Sequence, residues 1–290
     1  MMFWERRKTG VNIAGAGIAI ALSVLLALSV IGLLSLCKIS IPSFWEGPIF
    51  YASLLIATLL TARYFDRMSS DWVGLGFHRW VPREIGWGIV IGVGMALIAW
   101  SPALFVGSVE FRGIERYDRL LYWILFVVAS GIGEELLFRG YLFQRGIELF
   151  GGVGATFLFS VGFALAHLNN PEITTTGILN IFLGGIFFSG CYLATGGLWF
   201  PIATHVVWNL TLTLVLGTPA SGWMFDESFF WTTSSSYSFL TGGGFGPEGG
   251  IAGTIALLVG GVLLAVIPVI QIAPWNFSRI FWSFYRRQRN

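Results

Sequence analysis

Five ionisable side chains and one carboxamide stand out by where they fall. Glu134 and Glu135 are adjacent, Arg139 follows four residues after Glu135, and the three come just after Leu120–Ser130, an almost purely apolar run. His167 closes a second apolar stretch, and His205 and Asn209 lie in a third. Two of the chain's three histidines are therefore in this small group. An ionisable group inside an apolar span costs about 2.5–3.5 kcal/mol on insertion scales, so one retained there points to function. Acids with histidines can exchange protons with water, relay protons or bind a metal.

Spacing says which of these groups can meet. Glu135 and Arg139 are four apart with the acid first, the favourable order for a helical ion pair. That pairing leaves Glu134, about 100° around the helix, free to face another element. His205 and Asn209 share one helix face at the same spacing, and Phe163 sits one turn below His167. Glu134 is 17 residues before Gly151 and His167 is 15 after Gly152. Two antiparallel helices leaving a turn at Gly151-Gly152 bring those side chains to similar heights. His205 follows a turn at Gly196-Gly197, nominally on the other side of the membrane from Asn169-Asn170-Pro171. For it to reach His167, the connection "NNPEITTT" is expected to lie inside the membrane and line a wet cavity.

The elements that must carry these residues are membrane helices. Of 290 residues 55% are hydrophobic and 11% charged, and the mean hydropathy is +0.76. A soluble domain has about 25% charged residues. A span needs about 20 apolar residues, and eight candidates meet or approach this: 11–37, 46–62, 84–107, 119–140, 153–168, 177–196, 201–217 and 251–272. The expectation is an all-α, polytopic helical bundle of about eight transmembrane helices. Residues 1–110 would hold helices 1–3, residues 111–217 the chemical core on helices 4–7, and residues 218–290 a Gly-rich loop and helix 8. The pairs Gly88/Gly92 and Gly261/Ala265 would let helices approach closely.

Of the seventeen Lys and Arg, thirteen fall on the side of the N-terminus and four (Lys38, Arg112, Arg116, Arg119) on the other. The bias places both termini in the cytoplasm. The first apolar stretch is too long for a signal-peptide core and reads as a retained helix. Cys37 and Cys191 offer neither a disulfide framework nor metal-ligand spacing. No basic, aromatic-interleaved patch suggests nucleic acid.

The set Glu134-Glu135-x-x-x-Arg139, Phe163-x-x-x-His167 and His205-x-x-x-Asn209 resembles the three-motif pattern of the CPBP (ABI) family. These are the type II CAAX prenyl endopeptidases and their bacterial relatives. The likeness covers roughly residues 120–210, with every motif position matched and in order. It implies an eight-helix bundle in a bacterial plasma membrane that hydrolyses a peptide bond of a membrane-associated protein or peptide. By that likeness Glu134 would be the general base, His167 would help hold and polarise the water, and His205 and Asn209 would serve the oxyanion. Glu135 and Arg139 would support them, with Phe163 beneath His167. Family members are often labelled metalloproteases. Zinc would fall to Glu134, His167 and His205, but the H-E-x-x-H spacing of soluble zinc proteases is missing, and water activation without a metal is the favoured reading.

Plainer readings exist for single residues. Glu135 and Arg139 could form an ion pair at the inner interface, with the arginine snorkelling to headgroups. His167 could cap its helix, and Asn209 could join helices. A non-catalytic scaffold or bacteriocin-immunity protein and an ion-coupled transporter are the rival functions. His78, beside Arg79 and Trp80, reads as interfacial. "TGGGFGPEGG" from Thr241 lacks the lysine of a phosphate loop and reads as a surface loop.

Overall fold

The computed structural model describes residues 46–64, 74–106, 108–233 and 237–266, with four isolated positions before them. Helix α1 is Glu46–Tyr64, α2 Val81–Phe105, α3 Tyr117–Arg139 and α4 Tyr141–Ala166. They are followed by α5 Thr175–Thr195 and α6 Trp199–Leu210, which runs on as a π-helical turn, Thr211–Val215. A short α7, Ser238–Thr241, precedes α8, Ile251–Val266. One small element departs from the all-α expectation. Strands β1 (Val109–Phe111) and β2 (Phe230–Thr232) pair antiparallel, with Glu110 opposite Trp231.

Among the described residues, four helices are long and apolar enough to cross a membrane: Val81–Phe105, Tyr117–Ile147, Leu149–Ala166 and Thr175–Thr195. Two shorter apolar helices, Trp199–Val215 and Ile251–Val266, pack among them. The expected first span, 11–37, lies almost wholly outside the described residues, as does the end of the last one. The rod that begins as α3 bends at Gly140 and continues into α4. The chain reverses where the sequence placed the turn: Gly151 has φ 73° and ψ 171°, a left-handed backbone that glycine adopts without a Cβ penalty.

The centre of the bundle is the α2–α6 contact, and small residues create it. A Cβ on Gly88 would lie 2.7 Å from the Ala203 methyl, and one on Gly92 would lie 2.7 Å from the Thr204 carbonyl oxygen. The two backbones therefore touch, as small-residue stripes allow in lipid. On the last helix, a Cβ on Gly261 would meet nothing within 4 Å among the described residues. Helix α6 is held from the other side by α3, and α5 lies between α4 and α8. Together α3, the end of α4, α5 and α6 wall one space.

Two further expectations change. Arg139 and Arg145 do not belong to an inner loop: both are buried, Arg139 completely. Removing them leaves the basic bias at eleven to four. In the connection after α4, Asn169, Pro171, Glu172 and Thr174 are exposed and Asn170 reaches the cavity. Finally, the glycine-rich stretch is not a surface loop. Phe245 is fully buried beside Phe163, Ala164 and Ile181, so residues 242–250 form a strap inserted into one end of the bundle.

Candidate active site

Glu134, on α3, is the point where the candidate residues meet. Its Oε2 lies 3.9 Å from Nε2 of His167 at the C-cap of α4 and 3.8 Å from Nε2 of His205 on α6. The far side of each imidazole is already committed. His167 Nδ1 is 2.7 Å from the Phe163 carbonyl oxygen; a carbonyl only accepts, so Nδ1 carries the proton. His205 Nδ1 is 2.7 Å from Glu135 Oε1, an oxygen that also accepts from Arg139 NH1 at 3.0 Å. An ionised carboxylate likewise only accepts, so this Nδ1 is protonated too. When neutral, each ring turns an Nε2 lone pair toward the same carboxylate.

The His167 ring folds back along its own helix to the Phe163 carbonyl, one turn below.

The expected Glu135–Arg139 pair forms, but not at an interface. Arg139 NH2 donates to the carbonyl of Gly185, in the middle of α5, at 3.2 Å. Its guanidinium lies over the rings of Phe163 (4.6 Å) and Phe188 (5.4 Å), a cation–π setting that suits a desolvated arginine. Phe188 also stacks on His205, with centroids 4.6 Å apart and planes at 19°. Asn209, one turn beyond His205, lines the same cavity as Glu134 and both histidines. All seven residues singled out by the three motifs thus gather in one region.

That cavity has a volume of about 470 Å³ and is walled mainly by apolar side chains. It is of the size that encloses a short peptide segment or small ligand. Tyr51, Asn180 and Glu248 are among the polar wall residues that were not picked out in the sequence. Tyr51 reaches in from α1 beside Glu134. Asn180, a lone amide in the otherwise apolar middle of α5, donates to the carbonyls of Glu248 and Gly250 at 2.8 and 2.9 Å and accepts from Thr254 at 2.7 Å. Glu248, on the strap, accepts from the Trp208 indole at 2.9 Å and from both the backbone amide and the hydroxyl of Ser221. A polar residue inside an apolar span could have revealed Asn180. Tyr51 and Glu248 carry no local signal, because their partners are distant in sequence.

Zinc was tested against these donors. With bonds of about 2.0–2.1 Å, neighbouring ligand atoms of a tetrahedral site lie about 3.3–3.4 Å apart. The Glu134–His separations here are 3.8 and 3.9 Å, and among the described residues no three His, Cys, Asp or Glu side chains gather as a metal site. Cys191 is buried and free. The donor set does not fit zinc.

Neither a curated protein nor a solved structure matches the chain. The stretch from Arg116 to Thr211, which contains Glu134, His167, His205 and Asn209, matches the family model described as type II CAAX prenyl endopeptidase Rce1-like.

Proposed function

We propose that the chain is an intramembrane endopeptidase that hydrolyses a peptide bond of a membrane-associated protein or peptide, using water activated by Glu134. One observation carries this reading. A carboxylate oxygen and two imidazole nitrogens face each other at 3.8 and 3.9 Å, too far for direct hydrogen bonds and near enough for one water to bridge. The Rce1-like domain supports the same kind of activity.

The proposed reaction runs through the chain's own side chains. Water held by Glu134 and the His167 Nε2 lone pair attacks the scissile carbonyl carbon as Glu134 takes its proton. The carbonyl oxygen becomes an oxyanion and accepts a hydrogen bond from the Asn209 amide. His205 donates a second from Nε2 when it is protonated, and the Glu135 carboxylate on its Nδ1 stabilises that imidazolium. Glu134 then returns the proton to the leaving amine as the C–N bond breaks. Arg139 holds Glu135 in place. By the basic-residue bias, the Asn170 and Glu248 end of the cavity faces away from the cytoplasm.

Membranes from cells carrying wild type and Glu134→Gln are to be compared by proteomics. A product present only with wild type is expected, and purified Glu134→Gln is expected to cleave that substrate about 10²–10⁴ times more slowly with an unchanged melting temperature. His167→Ala should lose activity in the same way. Full activity in Glu134→Gln refutes the proposal.

A further inference from the structure

A residue outside the three motifs, and outside the Rce1-like stretch, touches the proposed base. Tyr51 lies in the second turn of α1, a helix that packs on α3. Its hydroxyl faces the Glu134 carboxylate, and its side chain lines the same cavity as Glu134, His167 and His205. The approach is made by one glycine. A Cβ on Gly133, the residue before Glu134, would run into the Tyr51 ring. The ring therefore lies directly over the backbone next to the base, in a space that alanine would fill.

Glu134 needs such a partner. The last torsion of a glutamate side chain is broad, with no staggered well to hold the carboxylate plane. Neither histidine is within hydrogen-bond distance of it, so they do not fix its direction. Glu135 has Arg139 and His205 to hold it; Glu134 has the hydroxyl from α1. A preorganised base loses rate when its geometry is relaxed, because proton transfer needs the acceptor in line with the water.

We infer that Tyr51 is a positioning residue for the proposed hydrolysis: its hydroxyl fixes the Glu134 carboxylate toward the two Nε2 atoms, and Gly133 is glycine to admit it. This rests on the proteolytic reading above and adds α1 to the parts the site requires.

The test uses the full-length chain and, as probe, a peptide spanning the cleavage site found by comparing wild-type and Glu134→Gln membranes. Tyr51→Phe keeps the ring that fills the Gly133 notch and removes only the hydroxyl. It is expected to lower kcat about ten- to a hundredfold, with KM and melting temperature unchanged. Gly133→Ala keeps the hydroxyl but displaces the ring, and should lower kcat by a similar factor. The double variant should be no slower than the slower single one, because both remove the same contact. A purely packing role predicts instead that Tyr51→Phe is fully active and that Gly133→Ala acts through stability alone, and that result overturns the inference. So does a Tyr51→Phe change confined to KM, or losses that multiply in the double variant. If Tyr51→Phe is fully active while Glu134→Gln is dead, only the positioning role falls. If Glu134→Gln is itself active, the proteolytic reading falls with it.

Discussion

Two polar clusters are buried against α5, and their accounts are kept differently. Near the strap, Asn180 uses both amide hydrogens and its oxygen, and Glu248 uses both carboxylate oxygens. Around Arg139 the pairing is incomplete: Glu135 Oε2 and Arg139 Nε have no hydrogen-bond partner among the described residues, and the two imidazole Nε2 atoms point at a carboxylate they do not reach. A satisfied buried network rigidifies the structure it joins. An unsatisfied one costs stability, and a charged one costs more. The contrast separates the part of the bundle that closes the fold from the part left able to bind and react.

Substitutions can break or sharpen that division. The largest effect is expected at Arg139. Arg139→Met strands Glu135 in the core and should cost about 3–5 kcal/mol of stability, read as a large fall in melting temperature. Adding Glu135→Leu removes the stranded charge and should restore most of that loss, yet the double variant should remain inactive because His205 Nδ1 has lost its partner. A stable, active double variant would make the pair structural only. Next in size, Asn180→Ala removes three hydrogen bonds and leaves the Glu248 carbonyl and the Thr254 hydroxyl unpaired, at about 2–3 kcal/mol. The folded fraction should keep kcat within a few-fold, as measured per correctly folded molecule. A specific loss of kcat would move Asn180 into the reacting cluster. The smallest change is Glu248→Gln, which keeps the Trp208 contact through its amide oxygen and loses an acceptor for Ser221. About 1 kcal/mol is expected, with a few degrees in melting temperature and no change in kcat.

What was legible in the sequence follows from the range of each interaction. Glu135–Arg139, Phe163–His167 and His205–Asn209 are contacts within one turn, so helical periodicity showed them directly. The turn at Gly151 was also local, and counting from it aligned Glu134 with His167. Interactions set by packing were not visible. Nothing near Arg139 indicated that its guanidinium would end beneath Phe188 and on the Gly185 carbonyl, and charge counting placed it in a loop. The strap was misread for a related cause: its glycines look like a flexible loop until Phe245 finds its slot beside Phe163 and Ile181. Tyr51 is one aromatic among many in an apolar helix, and only the missing Cβ of Gly133 marks its partner.

The buried arginine also bears on how the protein is made. A segment carrying Glu134, Glu135 and Arg139 enters the bilayer at about 2.5–3.5 kcal/mol for each charge near its centre, and the contacts that offset this are encoded later. The Gly185 carbonyl follows Arg139 by 46 residues, and His205 follows Glu135 by 70. At about 5–20 residues per second of synthesis, the third helix waits from about two to about fourteen seconds for its partners. During biogenesis it must therefore be sheltered at the insertion machinery, or held at the interface, until the fifth and sixth helices emerge, which ties correct topology to the pace of translation.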